Sequence, residues 1–134
     1  MNLLLDTQAW LWFHLGDARF SQRAREHVTD PINTNFVSPA SYWELAIKIK
    51  LGKYVLNIPY SRFMHDSISG NRFNILDIKP AHTELISTLP FPKIAGVEHR
   101  DPFDRLLISQ AKVEGMSVVS SDSALAAYGV PLIW

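Results

Sequence analysis

The sequence predicts an α/β fold, namely a three-layer α/β/α sandwich around a short, largely parallel central sheet. Short apolar runs alternate with segments of helical periodicity along the chain, which is typical of strands joined through helices. Parallel neighbours require such crossover connections. The chain is 47% hydrophobic and 19% charged, which is ordinary for a globular protein and indicates neither a disordered chain nor a membrane protein.

The first half of the chain predicts two strands and three helices. In order, these are a strand at 3–5, a helix that follows it, a surface helix at about 21–28, a strand at 36–37 and a helix at 39–52. The last helix begins at Pro39, because proline is favoured at the first helical position, and it ends at Gly52, because glycine favours helix C-termini. Its apolar stripe is predicted to consist of Ala40, Trp43, Ile47 and Leu51.

The second half continues the alternation. The predicted elements are a helix at 60–68, a strand at 73–78, a helix at 81–89, a loop at 90–96, a helix at 102–114, a strand at 117–119, a short helix after Asp122 and a strand at 132–134. The helix at 102–114 is expected to start at about Pro102 and to end at Gly115.

Length, charge and cysteine content narrow the classes of protein. A chain of 134 residues predicts one domain, 1–134. Absence of cysteine excludes disulfides, thiolate metal sites and cysteine nucleophiles, and it suits a reducing compartment. The first 13 residues contain no Lys or Arg and do not read as a secretory signal, so we expect a cytoplasmic protein. Thirteen basic residues balance thirteen acidic ones, which argues against a broad cationic surface for nucleic acid.

Four carboxylates are predicted at one edge of the sheet. Asp6 follows the first strand, and Asp122 follows the strand at 117–119 by three residues. Asp104 heads the apolar face of its helix, and Glu44 lies at the margin of another apolar face. Ligands of parallel α/β sheets collect at the carboxyl ends of the strands, so that edge is the expected site.

Each of these acids also has a purely structural interpretation. Asp6 and Asp122 fit helix N-caps, Ser41 and Glu44 match a capping box, and Asp104 suits a helix N-terminus. Taken singly, these interpretations are the more common ones. Four carboxylates gathered at one edge, however, repel one another unless a divalent cation offsets their charge. Oxygen ligands without cysteine favour Mg²⁺, with Mn²⁺ as an alternative, and this chemistry suits phosphodiester hydrolysis.

Four stretches of the sequence, in order, resemble PIN-domain ribonucleases, and more narrowly the VapC-type toxins of type II toxin–antitoxin systems. These stretches are 4–7, 41–48, 99–108 and 119–122, the last together with 128–131. The resemblance implies a PIN-like fold and a metal-dependent endoribonuclease whose catalytic and metal-binding acids are Asp6, Glu44, Asp104 and Asp122. It also implies an antitoxin partner, a homodimer, and RNA cleavage that leaves a 5′-phosphate.

Seven other residues also have expected roles or positions. By the same resemblance, Thr7 and Ser120 stand where the family often places a supporting hydroxyl. Asp101 directly precedes Pro102, so a helix cap is favoured over a metal ligand. Arg100 and Arg105 are the candidates for contacts with RNA phosphates. Trp10 and Trp43 are expected in the core rather than in a base-stacking surface.

Other functions remain open at this point. An aspartyl-phosphate enzyme would also place an Asp after its first strand, although the phosphatase D-x-D pattern needs an acid where Gln8 stands. The five histidines are scattered, so spacing does not support a nuclease built on a histidine pair. The alternative from another class is a catalytically silent PIN-fold module that binds RNA or a protein partner.

Overall fold

The computed structural model describes residues 1–134 and contains seven strands and six α-helices. The strands are β1 Asn2–Leu5, β2 Thr34–Val37, β3 Asn74–Ile75, β4 Lys93–Ile94, β5 Val97–Glu98, β6 Ser117–Val119 and β7 Leu132–Ile133. The helices are α1 Thr7–Leu15, α2 Gln22–Thr29, α3 Pro39–Lys50, α4 Tyr60–Ser67, α5 Pro80–Thr88 and α6 Pro102–Glu114. Two 3₁₀ segments lie at Ser69–Asn71 and Ser123–Tyr128.

Five strands form one parallel sheet in the order β3-β2-β1-β6-β7. Side chains of the central strand alternate between the two faces of this sheet. Leu3 and Leu5 pack into one buried cluster with Trp10 of α1, whereas Leu4 packs into another with Ile108 of α6. Apolar side chains therefore cover both faces, and the predicted three-layer α/β/α arrangement is confirmed.

Strand order brings the carboxyl ends of β1 and β6 together. The two strands are parallel neighbours, and Leu5 pairs with Val119. The residues that follow, Asp6 and Ser120, therefore emerge side by side at the same edge of the sheet. Asp6 remains in register, because its N–H donates to the carbonyl of Val119 at 3.1 Å.

Helix α3 buries a different face from the one that the sequence predicts. Its buried residues are Ala40, Ser41 and Leu45, whereas Trp43 is 60% exposed and Leu51 is 62% exposed. Four-residue spacing shows which side chains share a helix face, but it does not show which face meets the sheet. Trp10 is fully buried as predicted, and the prediction of a core position for Trp43 is wrong.

The segment predicted as a loop at 90–96 contains half of a hairpin. Strands β4 and β5 pair antiparallel through Ala95 and Gly96, whose φ angles are 51° and 81°. Positive φ at both central residues gives the turn that matches the twist of a tight hairpin.

At the edge of the main sheet, β3 is shorter than the strand predicted at 73–78, because it pairs only with Phe36 and Val37. None of the six helices is long and apolar enough to cross a membrane.

Candidate metal centre

Asp6 is the N-cap residue of α1 and lies directly after β1. Its Oδ1 accepts a hydrogen bond from the N–H of Ala9 at 2.7 Å, and its Oδ2 accepts one from the hydroxyl of Ser120. The N-terminus of α1 therefore holds one oxygen of this carboxylate, and Ser120 holds the other. Thr7, which follows Asp6 in the sequence and is the first residue of α1, is buried.

Asp122 is joined to Asp6 through Ser120. Ser120 is buried, and its Oγ accepts a hydrogen bond from the N–H of Asp122 at 3.0 Å while donating to Asp6. The side chain of Asp122 caps the following 3₁₀ segment by accepting the N–H of Ala124 at 3.0 Å. One hydroxyl thus fixes the relative positions of two acids that follow two neighbouring strands.

Asp104 comes from the first turn of α6. Its N–H donates to Oδ1 of Asp101 at 2.8 Å, and Asp101 is the N-cap residue of this helix. Asp101 therefore has the structural role that its position before Pro102 indicates. The side chain of Asp104 is only 30% exposed, so it projects into a partly desolvated space rather than into bulk water.

Glu44 lies well inside α3 and is not a helix cap. The helix begins after Ser38, whose Oγ accepts the N–H of Ala40 at 3.1 Å, so the predicted capping box of Ser41 and Glu44 is wrong. Buried Gln110 holds α3 against α6, because its amide oxygen accepts the hydroxyl of Ser38. This contact fixes the helix of Glu44 relative to the helix of Asp104.

Burial and neighbouring acids raise the pKa values of Asp6 and Asp104. Burial is the largest cause of the raised pKa of Asp6, which is about 6, and the charges of Glu44 and Asp122 raise it further. Burial also raises the pKa of Asp104, to about 7, and Asp101, Asp122, Glu44 and Asp6 add to that increase in this order. Charges from separate elements therefore act on Asp6 and Asp104, and carboxylate oxygens of Asp104 and Asp122 lie within 4.8 Å of each other.

A hard divalent cation fits this donor set. The four acids offer carboxylate oxygens, the chain has no cysteine, and Asp6 and Asp104 hold protons more tightly than carboxylates normally do. A cation among them would replace the protons and offset the repulsion. Asp6, Glu44, Asp104 and Asp122 are the residues available to hold it.

His99 is a further member of this cluster, which the sequence pattern did not reveal. One of its ring nitrogens, one carboxylate oxygen of Asp104 and one of Asp122 lie within 4.8 Å of one another. Its Nε2 is 3.1 Å from Oδ2 of Asp104, and its Nδ1 is 2.6 Å from the hydroxyl of Tyr128. His99 lies five residues before Asp104, but its other partner is 29 residues away, so only the fold reveals the arrangement.

The two arginines that were predicted to contact RNA are placed differently. Arg105 is 5% exposed, and its guanidinium donates to the carbonyls of Leu89 at 2.6 Å and Pro90 at 2.9 Å. Because its donors serve the fold, the prediction that it binds substrate is wrong. Arg100 is exposed, pairs with Glu98, and lies with its guanidinium carbon 4.6 Å from the ring centre of Phe91.

A protein family model matches nearly the whole chain. The family model of the PIN domain matches residues 3–131, which include all four acids and Ser120. None of the curated proteins matches the chain.

Several solved structures share the fold at low sequence identity. A chain of VapBC2 from Rickettsia felis, solved bound to a DNA fragment from the promoter, is 16% identical with a TM-score of 0.69, over 98% of this chain and 97% of that chain. A chain of VapBC-1 from nontypeable Haemophilus influenzae is 18% identical with a TM-score of 0.63, over 98% and 96%. A chain of FitAcB from Neisseria gonorrhoeae is 17% identical with a TM-score of 0.61, over 97% and 95%. Since the family model extends over nearly the whole chain, the protein belongs to the PIN domain family.

Proposed function

We propose that the protein is a divalent-cation-dependent endoribonuclease whose cation is held by Asp6, Glu44, Asp104 and Asp122. The observation that carries the proposal is geometric: Ser120 bonds to both Asp6 and Asp122, and carboxylate oxygens of Asp104 and Asp122 lie within 4.8 Å of each other. The charge of Glu44 also acts on Asp6 and Asp104, whose pKa values are raised. Such a group of acids is costly without a cation. Membership of the PIN domain family supports a nuclease rather than another metal-dependent hydrolase.

The residues of the chain have distinct roles in this reaction. When bound, Mg²⁺ or Mn²⁺ would supply a water of lowered pKa and offset the charge that develops on the phosphate. Ser120 orients Asp6 and keeps it close to Asp122. Arg100, which is exposed, remains the candidate for contact with a substrate phosphate. Hydrolysis of the P–O3′ bond by water leaves a 5′-phosphate on one fragment and a 3′-hydroxyl on the other.

The direct test is cleavage of RNA by the purified protein. We expect cleavage with Mg²⁺ or Mn²⁺, none with EDTA, and a loss of at least about 100-fold in Asp6→Asn and Asp104→Asn. Asp66→Asn is the matched control, because Asp66 forms a surface pair with Arg62 on α4, and it should cleave as the unaltered protein does. Full activity in a folded Asp6→Asn and a folded Asp104→Asn would contradict the assignment. Binding of RNA without any cleavage would favour the silent module instead.

The same proposal includes an antitoxin partner. Structures of similar fold are those of the VapBC2, VapBC-1 and FitAcB assemblies, which supports a VapC-type toxin that acts with a cognate antitoxin. Expression of the chain alone should arrest growth, and co-expression with a small DNA-binding protein encoded beside it should relieve the arrest. The homodimer and the cytoplasmic location stay predictions, and sedimentation and fractionation would test them.

A further inference from the structure

A continuous chain of hydrogen bonds leads from the interior of the protein to Asp104. It begins at Arg105, passes through the hydroxyl of Tyr128, and reaches Asp104 through the ring of His99. Arg105 and Tyr128 are 5% and 7% exposed, and the side chain of His99 is 16% exposed. All three side chains are therefore held by packing before they reach the acid.

Arg105 and Asp104, at the two ends of this chain, together set its direction. Nη1 of Arg105 lies 3.4 Å from the Tyr128 hydroxyl, and a guanidinium can only donate, so the Tyr128 oxygen accepts there. The single hydroxyl hydrogen of Tyr128 is then free for Nδ1 of His99, at 2.6 Å, in preference to the backbone carbonyl of His99 at 3.3 Å. Because Oδ2 of the Asp104 carboxylate accepts from Nε2, Nδ1 of a neutral His99 ring carries no hydrogen and accepts from the Tyr128 hydroxyl.

The tautomer of His99 follows from this direction. A neutral imidazole whose Nδ1 accepts must carry its hydrogen on Nε2, and that hydrogen faces Oδ2 of Asp104 at 3.1 Å. A protonated ring would carry the same Nε2 hydrogen, so the contact with Asp104 does not depend on the charge of His99. One oxygen of Asp104 is thereby held in place, while the carboxylate keeps its second oxygen for a cation.

We propose that His99 is a positioning residue, which uses its Nε2–H, oriented by Tyr128, to hold Asp104 in the orientation that binds the divalent cation. This proposal rests on the proposed function, because it assigns a role toward the cation of that site. It also gives Arg105 a role that explains its burial: the arginine directs the hydroxyl of Tyr128 and does not touch RNA. Groups that orient metal ligands typically contribute 10- to 100-fold to metal affinity.

The first test uses the metal-free protein. Nitrogen-15 NMR of labelled histidines should show the His99 ring with its hydrogen on Nε2, and Tyr128→Phe should shift this ring toward a mixture of tautomers. A neutral His99 ring with its hydrogen on Nδ1 in the unaltered protein would overturn the proposal. This readout needs neither metal nor activity, and it stands even where a variant at His99 fails to fold.

The second test measures affinity for Mn²⁺ from the electron paramagnetic resonance signal of the free ion. His99→Ala should weaken Mn²⁺ binding 10- to 100-fold, and His99→Gln should recover part of this loss, because its amide N–H takes the place of Nε2–H. His65→Ala is the matched control, since His65 is an exposed histidine on α4, and it should bind as the unaltered protein does. Circular dichroism confirms folding of each variant.

Two results separate this proposal from the proposed function. If a folded His99→Ala binds Mn²⁺ unchanged while Asp104→Asn does not bind it, the positioning role is wrong and the metal site stands. If Asp6→Asn and Asp104→Asn also bind Mn²⁺ unchanged, the metal site itself is wrong. Pulsed electron paramagnetic resonance would detect hyperfine coupling between bound Mn²⁺ and a ring nitrogen of His99 if His99 coordinated the ion directly. That result would overturn the positioning role.

Discussion

Ser120 donates a hydrogen bond to Asp6 across 114 residues of sequence. The contact exists because β1 and β6 are parallel neighbours, so the residues that follow them emerge together. It lowers the pKa of Asp6 against the larger, opposite effect of burial. A hydroxyl that stabilises the charged form of a buried acid also prepares that acid to bind a cation.

Replacing Ser120 by alanine tests this contact. In Ser120→Ala, Asp6 loses its hydroxyl donor, so the pKa of Asp6 should rise above about 6, and Mn²⁺ affinity at pH 7 should fall about tenfold. Ser121→Ala is the matched control, because Ser121 is the exposed neighbour and donates to neither acid. Calorimetric titration with Mn²⁺ measures both variants, and equal affinity in the two would show that the hydroxyl does not serve the site.

The raised pKa values of Asp6 and Asp104 predict how the stability of the metal-free protein depends on pH. The pKa values of Asp6 and Asp104 are raised from 3.8 to about 6 and about 7, so the folded protein binds more protons than the unfolded chain between these limits. In EDTA, their contribution to the free energy of unfolding is fully present below pH 3.8 and is lost as pH rises through about 7. The apparent Tm of the metal-free protein should therefore decrease between pH 5 and pH 8 more steeply than that of Asp104→Asn.

Added Mg²⁺ should reverse this trend. The cation binds the deprotonated acids, so the increase in Tm that it causes should be larger at pH 8 than at pH 5. Parallel Tm curves for the unaltered protein and Asp104→Asn across this range would contradict the raised pKa of Asp104. Thermal denaturation followed by circular dichroism measures all of these curves.

Gln110 should matter for stability although it touches none of the four acids. It is fully buried, accepts the hydroxyl of Ser38, and donates to the carbonyl of Leu76 at 3.0 Å. Gln110→Ala leaves both groups without this partner, so the free energy of unfolding should fall by about 2 to 3 kcal/mol. Val113→Ala, at an exposed position of the same helix, should change it by less than about 0.5 kcal/mol. Urea denaturation compares the two, and an equal effect would contradict the role of Gln110.

The ends of a helix or strand could be predicted from sequence where single residues, such as a cap, a proline or a glycine, determine them. Helix α6 has the predicted bounds, because Asp101 caps its start, Pro102 opens it, and Gly115 ends it with a φ of 65°. The position of Asp6 after β1 was predicted equally well, since an apolar run followed by a polar residue marks the end of a buried strand. Parallel pairing of such strands then makes their ends converge, which is why Asp6 and Asp122 could be expected at the same edge of the sheet.

Contacts between distant residues were not predictable in this way. The exposure of Trp43 depends on how α3 is rotated against the sheet, and the burial of Arg105 depends on carbonyls that the loop at 89–90 directs toward it. His99 was missed because Tyr128, the partner that orients it, lies beyond a helix and a strand. Each of these depends on tertiary packing, which the spacing of residues in sequence does not encode.

The most direct measurement is a crystal structure with Mn²⁺, in which anomalous scattering identifies the ion. The structure predicts an anomalous peak among the carboxylates of Asp6, Glu44, Asp104 and Asp122, with Nε2 of His99 still bonded to Asp104. Absence of a peak there at Mn²⁺ concentrations that support RNA cleavage, or a peak bound by other residues alone, would contradict the assignment of the metal centre.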